Sequence, residues 1–170
     1  MQFAPFLLRP ETPPEGMPAR RIVPPDAPPT PMELRGEQLG IKFTRGRTWS
    51  SYSHLALEAA EYALRTSENA WAYHRRLFKA YFTDLEDIGN VDVLVRLAEE
   101  TGIDAEGLRQ VLTDRSLEQE VDEGIMWSRQ IGVTAIPTFI FNERAGMVGA
   151  QELPAFREMM ARVGNKPRAQ

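Results

Sequence analysis

The sequence predicts a mixed α/β domain in which a block of helices separates two short strand-forming regions, and three observations carry that reading. Apolar residues recur at helical spacing from about residue 51 to residue 131. The β-branched and aromatic run Thr138-Phe139-Ile140-Phe141 then breaks that period, and a turn and a second short apolar run follow it. Upstream, a proline-dense stretch sets the apolar segment Phe3 to Leu8 apart from the helices.

The chain has 170 residues, enough for one domain or for one domain carrying an insertion. Its apolar and charged fractions, 42% and 26%, lie near globular averages, so a packed core is expected. The net charge of −4 argues against a nucleic-acid or anionic-membrane surface, and no basic run exceeds the pairs Arg20-Arg21 and Arg75-Arg76. No apolar run approaches the length of a membrane span, and Met1 to Leu8 lacks the basic-then-apolar profile of a signal peptide. A soluble, cytoplasmic protein is the expectation. There is no cysteine, which excludes disulfides, thiolate metal sites and sulfur nucleophiles within the chain. The two histidines, His54 and His74, are too few for an all-histidine zinc site.

Taken in order, Phe3 to Leu8 reads as a short strand that Pro5 pushes to an edge. From Pro10 to Pro31, nine prolines exclude helix and interior strand and predict an extended connection. Ser51 to Arg65 reads as a helix with Tyr52, Leu55, Ala59, Tyr62 and Ala63 inward and His54, Glu58, Glu61 and Arg65 on a wet stripe. A second helix is expected from Glu68 to Phe82, with Trp71, Phe78, Tyr81 and Phe82 inward and His74 beside them. Asn90 caps a third, carrying Val91, Leu94, Val95 and Ala98, and Gly102 ends it. Asp104 caps a short fourth with Leu108, Val111 and Leu112 inward. Leu117, Val121, Ile125, Ser128 and Ile131 share one face of a fifth, which stops at Gly132. The hairpin follows, with Asn142 to Gly146 as its turn and Met147-Val148 as its return. A last helix, Glu152 to Val163, has Pro154 in its first turn and Phe156, Met159, Met160 and Val163 on one stripe.

The segment Gly132-Val133-Thr134-Ala135-Ile136-Pro137-Thr138-Phe139-Ile140-Phe141 resembles the proline loop of the DsbA and thioredoxin families. Val148-Gly149-Ala150-Gln151 is similar to the strand-to-helix junction of FrnE-like members of the DsbA family. Ala56 to Ala63, His74 to Phe82 and Asp87 to Asn90 resemble that family's inserted helices and the turn after them, and Pro5 to Pro10 with Pro13 to Gly16 resembles its second strand and the loop leaving it. The resemblance covers nearly the whole chain. It implies a thioredoxin-like (DsbA-like) α/β fold with a helical insertion: residues 1–9 and 133–164 form the thioredoxin-like part, 10–48 a Pro-rich connection and 49–132 the insertion, in a single domain. It also implies a cis bond before Pro137, a substrate-facing role for Ile136 and Pro137, protein or small-molecule thiols and disulfides as partners, no metal or organic cofactor, and room for a homodimer.

In that family the chain opens with a strand and then a Cys-x-x-Cys at the start of a helix. Nothing upstream of Phe3 has room for either, so the first strand and the active-site helix are expected to be lacking, and a reading frame starting upstream is the favoured explanation. The chemistry of the family needs a thiolate, held ionised at a helix N-terminus, to attack a disulfide sulfur. No other side chain replaces sulfur there, so no catalytic residue is expected in this chain. Losing a central strand also leaves backbone groups unpaired at roughly 1–3 kcal/mol each where they are buried. The expected function is a DsbA-like thiol-disulfide oxidoreductase truncated of its cysteines. The alternatives are a relative of glutathione-dependent 2-hydroxychromene-2-carboxylate isomerases and a non-catalytic peptide-binding module. The remaining titratable clusters read as structural: His54 solvated, His74 at a helix interface, Glu99-Glu100 as surface charge, and Glu118, Glu120, Asp122 and Glu123 favouring the start of the fifth helix. The purified chain is expected to show no reductase or oxidase turnover in an insulin-reduction or thiol-oxidation assay; turnover above the uncatalysed rate would contradict the assignment of all sulfur chemistry to cysteine.

Overall fold

A computed structural model describes residues 3–20, 22–143 and 145–164. The chain divides into two compact units, a helical one spanning Arg9–Glu123 and a second one made of Met1–Leu8 and Gly124–Gln170.

The helical unit starts with proline-dense chain. Met17–Pro18 (β1) pairs antiparallel with Trp49–Ser50 (β2), in the register Met17↔Ser50 and Pro18↔Trp49. Gly16 precedes β1 at φ +81°, and a Cβ there would stand 2.3 Å from Trp49 Nε1, so both the backbone and the indole require glycine. Between these strands lies α1 (Pro31–Gln38). Thr30 Oγ1 accepts from the Glu33 N–H at 3.2 Å, Glu33 Oε2 accepts from the Thr30 N–H at 2.7 Å, and Pro31 opens the helix. Arg45 then clamps the whole segment. Its Nε and Nη2 donate to the two oxygens of Glu33 at 2.6 and 2.8 Å, and its remaining donors reach the carbonyls of Pro24, Pro25, Ala27 and Pro28. Prolines contribute carbonyls but no N–H, and a guanidinium with five donors and no acceptor supplies that deficit.

The core of this unit is built from α2 (His54–Thr66), α3 (Ala70–Phe82), α4 (Val91–Thr101) and α5 (Ala105–Asp114). On α2 the buried stripe is Ala56, Ala59, Ala60 and Ala63, at the i, i+3, i+4, i+7 spacing of one helix face. On α3 it is Ala70, Tyr73, Leu77 and Ala80, and the Tyr73 hydroxyl donates to the Leu94 carbonyl at 3.1 Å. Burial pushes that phenol far up. Leu94, Leu97 and Ala98 from α4 and Leu108 and Leu112 from α5 complete the cluster. The caps are those the sequence announces: Asn90 Oδ1 accepts from Asp92 N–H at 2.8 Å, Asp104 Oδ1 accepts from Gly107 N–H at 3.1 Å, and Gly102 leaves α4 at φ +73°. Gly107 is also a contact point, because a Cβ there would lie 2.2 Å from the Tyr62 hydroxyl.

Helix α6 (Glu118–Gln130) carries the chain from the helical unit into the other one. There, β3 (Thr138–Phe141) and β4 (Ala145–Val148) form an antiparallel hairpin in the register Thr138↔Val148, Phe139↔Met147, Ile140↔Gly146 and Phe141↔Ala145. The last helix, α7 (Leu153–Arg162), presents Phe156 edge-on to Phe139, with centroids 4.8 Å apart. Phe139 and Phe141 therefore share the α7 face of the hairpin, and Ile140 and Val148 lie on the opposite, exposed face. Among the described residues of this unit, Ile125 is the sole buried apolar side chain.

Four expectations are corrected. Phe3 to Leu8 makes no strand pairing; Pro5 cannot donate, and its ring sits over Gly124, where a Cβ would come within 2.6 Å of the ring. The connection spanning 10–48 contains a helix, α1, because the Thr30–Glu33 capping box satisfies its orphan N–H groups. On α2 the stripe assigned to water holds two buried residues, His54 and Glu58, which are neutralised by each other and by Arg115. On α3 the inward face is turned away from the predicted one: Trp71 and Phe78 are 57% and 64% exposed, and smaller residues beside Tyr73 permit close helix approach.

Stability is thus concentrated in the helical unit. Leu97→Ala, at a fully buried position, is expected to cost about 2–5 kcal/mol in urea unfolding, and Leu153→Ala, at an exposed one, within about 0.5 kcal/mol. Equal losses at the two positions would contradict this division.

Candidate functional site

The loop between α6 and β3 begins with a helix stop. Gly132 at φ +85° donates its N–H to the Arg129 carbonyl at 2.9 Å, and the Val133 N–H reaches back to Ser128 at 3.0 Å. The Ser128 hydroxyl donates to the Pro5 carbonyl at 3.0 Å, which ties the N-terminal segment to the same helix end. The Ile136–Pro137 peptide bond is cis. Two hydrogen bonds hold the loop on the hairpin: the Thr138 hydroxyl donates to the Ala135 carbonyl at 2.6 Å, and the Gly149 N–H donates to the Pro137 carbonyl at 2.8 Å. The Gln151 side chain caps the junction by donating to the Val148 carbonyl at 3.0 Å.

In this arrangement Gly132, Thr134, Ile136 and Pro137 are exposed. Ile136 is 50% exposed, and its backbone N–H and C=O have no hydrogen-bond partner among the described residues. An N–H and a C=O left unpaired on one residue beside a fixed turn can pair with one residue of an extended peptide. The loop carries no thiol, because the chain has no cysteine, and the Thr138 hydroxyl is committed to Ala135.

A second polar cluster lies within the helical unit. Glu58 is fully buried and receives Arg115 Nε at 3.1 and 3.2 Å and Nη2 at 2.8 Å. Arg115 holds this pose from a left-handed backbone, φ +57°, at the C-cap of α5, a conformation that costs a non-glycine residue on the order of 1 kcal/mol. His54 Nδ1 lies 2.8 Å from Glu58 Oε1. Spacing alone offered a signal for this pair: His54 and Glu58 are four apart, about one helical turn, and so share a face of α2. The acidic run on α6 is already engaged, with Glu118 paired to Arg115, Glu120 to Arg65, Asp122 to His54 and Glu123 to Gln119. Among the described residues no group of three or more metal-ligating side chains is placed to hold an ion. His74 is half-buried, and burial lowers its affinity for a proton.

Comparison with known proteins adds three findings. A family model described as DSBA-like thioredoxin domain matches residues 1–161. YwbO, an uncharacterized protein of Bacillus subtilis, is 27% identical over 145 residues, which are 84% of this chain and 72% of YwbO. The crystal structure of a probable DsbA oxidoreductase from Streptomyces coelicolor superposes with a TM-score of 0.69 at 20% identity over 82% of this chain. The chain spans 61% of that structure's length. The shared fold is thioredoxin-like in the DsbA manner, mixed α/β with few strands.

Removing one partner of the buried pair strands the other. Glu58→Ala is expected to destabilise the protein by about 3–5 kcal/mol, read as a shift in urea midpoint, and Glu58→Gln by less. A neutral Glu58→Ala would show that Arg115 finds another partner at no cost.

Proposed function

The chain belongs to the DSBA-like thioredoxin domain family, and on that premise we propose that it is the substrate-holding part of a thiol-disulfide exchange domain whose sulfur chemistry comes from groups other than its own side chains. One observation carries the reading. The backbone N–H and C=O of Ile136, a half-exposed residue next to Pro137, have no hydrogen-bond partner among the described residues and offer one donor and one acceptor at the entry of the hairpin.

Exchange requires a thiolate to attack one sulfur of a disulfide, forming a new S–S bond while the other sulfur leaves as a thiolate. This chain supplies neither sulfur. What it offers is orientation. A peptide lying along Ile136 gains main-chain hydrogen bonds, which are indifferent to side-chain identity and suit a protein that meets many thiol or disulfide partners. Pro137 contributes no N–H, so the pairing is confined to the residue before it. The exposed Ile136 side chain adds apolar contact.

The test separates backbone from side chain. A fluorescein-labelled octapeptide with a central S-methylated cysteine is expected to bind the purified chain, read by fluorescence anisotropy. Ile136→Pro removes the N–H donor and is expected to weaken binding about tenfold, the equivalent of one hydrogen bond of about 1.4 kcal/mol. Ile136→Val keeps the N–H and is expected to bind within about twofold of the parent chain. Equal weakening in both variants, or no binding by the parent, defeats the proposal.

A further inference from the structure

The thiol-disulfide reading gives no part to the buried histidine of the helical unit, yet its surroundings are unusual. His54 is the first residue of α2 and is 3% exposed. Its Nδ1 lies 2.8 Å from Glu58 Oε1, and its Nε2 lies 3.1 Å from Asp122 Oδ1 on α6. The ring of Tyr52 stacks on it at 5.7 Å, nearly parallel at 11°. Carboxylates accept hydrogen bonds and do not donate them. A neutral imidazole has one N–H, so one of the two contacts would set a lone pair against a carboxylate oxygen; only the imidazolium donates to both.

The groups facing the ring come from every element around it. Glu58 belongs to α2, and Tyr52 to the loop before it. Arg115 comes from the C-cap of α5, with Nη2 3.3 Å from His54 Nδ1, and Glu118 and Asp122 come from α6. Burial pushes the Tyr52 phenol up, so it meets the ring as a neutral group. Arg115 also binds Glu58 and Glu118. Asp122 is different: its side chain is 59% exposed, and its ion pair is with His54. Once the ring is neutral, the charge attraction that draws Asp122 inward is gone whichever nitrogen keeps its hydrogen, and water is within its reach.

We propose that His54 is a protonation-dependent latch: as the imidazolium it fastens the first half of α6, through Asp122, to the start of α2, and on losing its proton it releases that half. The stretch concerned is the start of α6, up to Glu123.

The direction of the pH effect follows from the contacts. The hydrogen bond to Glu58, foremost, and that to Asp122 hold the imidazole above its ordinary value near 6.5, against the opposing effect of burial. The unfolded chain has the ordinary value. The latch is therefore fully closed below about pH 6.5 and opens as pH rises through the raised folded-state value.

The test is imidazole ¹⁵N–¹H correlation spectroscopy across pH 5–9, with amide exchange, corrected for intrinsic rates, followed at residues 119–123 and at α4 as an internal reference. In the wild-type chain His54 is expected to titrate above 6.5. Protection at 119–123 relative to α4 is expected to fall about fivefold from pH 6 to pH 9, the loss of one charged contact. Asp122→Asn, an exposed and structurally mild change, is expected to lower the His54 midpoint and to bring protection at pH 6 down toward the wild-type level at pH 9. His54→Gln is expected to show protection that does not vary with pH. The proposal is overturned if wild-type His54 titrates at or below 6.5, if protection at 119–123 keeps a constant ratio to α4, or if the same pH dependence persists in His54→Gln.

Discussion

Close approach of α2 to the helices around it is the constraint on which the helical unit depends. Four alanines at i, i+3, i+4 and i+7 make one face of α2 nearly flat, and Ala59 and Ala63 have no exposed surface at all. A larger side chain at either position would have to displace a packed neighbour, which typically costs about 1–3 kcal/mol. The same closeness appears where Gly107 of α5 meets the Tyr62 hydroxyl of α2. Glu58 is buried on the other side of the same helix, where a charge is tolerable only with partners. Arg115 and His54 are those partners, and the left-handed backbone at Arg115 reflects how strongly that demand acts on the chain.

Much of this architecture was legible in the sequence because its signals are local. Asn90, Asp104, Gly102 and Gly132 mark helix ends through backbone hydrogen bonding, which depends on a few consecutive residues, and the structure places helix boundaries there. The hairpin was legible for a similar reason: the β-branched and aromatic run Thr138-Phe139-Ile140-Phe141 is a local signal, although the return strand begins at Ala145, inside the expected turn Asn142 to Gly146. The inward faces of α2 and α3 were less legible. Aromatic residues invite assignment to the core, yet a helix that must come near its neighbours turns its small residues inward and leaves Trp71 and Phe78 outside. Which rule prevails is decided by helix separation, a tertiary quantity absent from a helical wheel. The pairing of Glu58 with Arg115, 57 residues apart, is likewise beyond periodicity.

The proline-dense segment shows a different kind of illegibility. Nine prolines from Pro10 to Pro31 signal extended chain; among the described residues before Thr30 the segment has no helix but is broken by turns at Arg9–Thr12, Pro13–Gly16 and Pro24–Ala27. The pattern Thr30-Pro31-Met32-Glu33 is nevertheless a helix start, with the proline at the position where its missing N–H does no harm. What makes the segment a defined structure is Arg45, at least twelve residues downstream of every group it binds. Its guanidinium collects carbonyls that the prolines leave without donors and at the same time holds the Glu33 carboxyl down to about 2. A carboxylate so held stays ionised through the pH range in which α1 needs its cap.

The exchange site expected from the sequence resolves into two kinds of requirement that physics does not oblige one segment to meet. Sulfur chemistry needs a thiolate, and no arrangement of the side chains present can provide one. Holding an extended peptide needs only backbone groups kept in place. The loop at Ile136–Pro137 gets its order from its own hydrogen bonds, Thr138 to Ala135 and Gly149 to Pro137, and from the helix stop at Gly132. None of these involves a cysteine, so the absence of sulfur does not undo the geometry that presents Ile136. Orientation and nucleophile are separable contributions in exchange reactions generally, since bringing reactants together and activating one of them act on different parts of the barrier. In this chain the loop proposed for the first is ordered by its own hydrogen bonds, and the second needs a sulfur that none of its side chains contains.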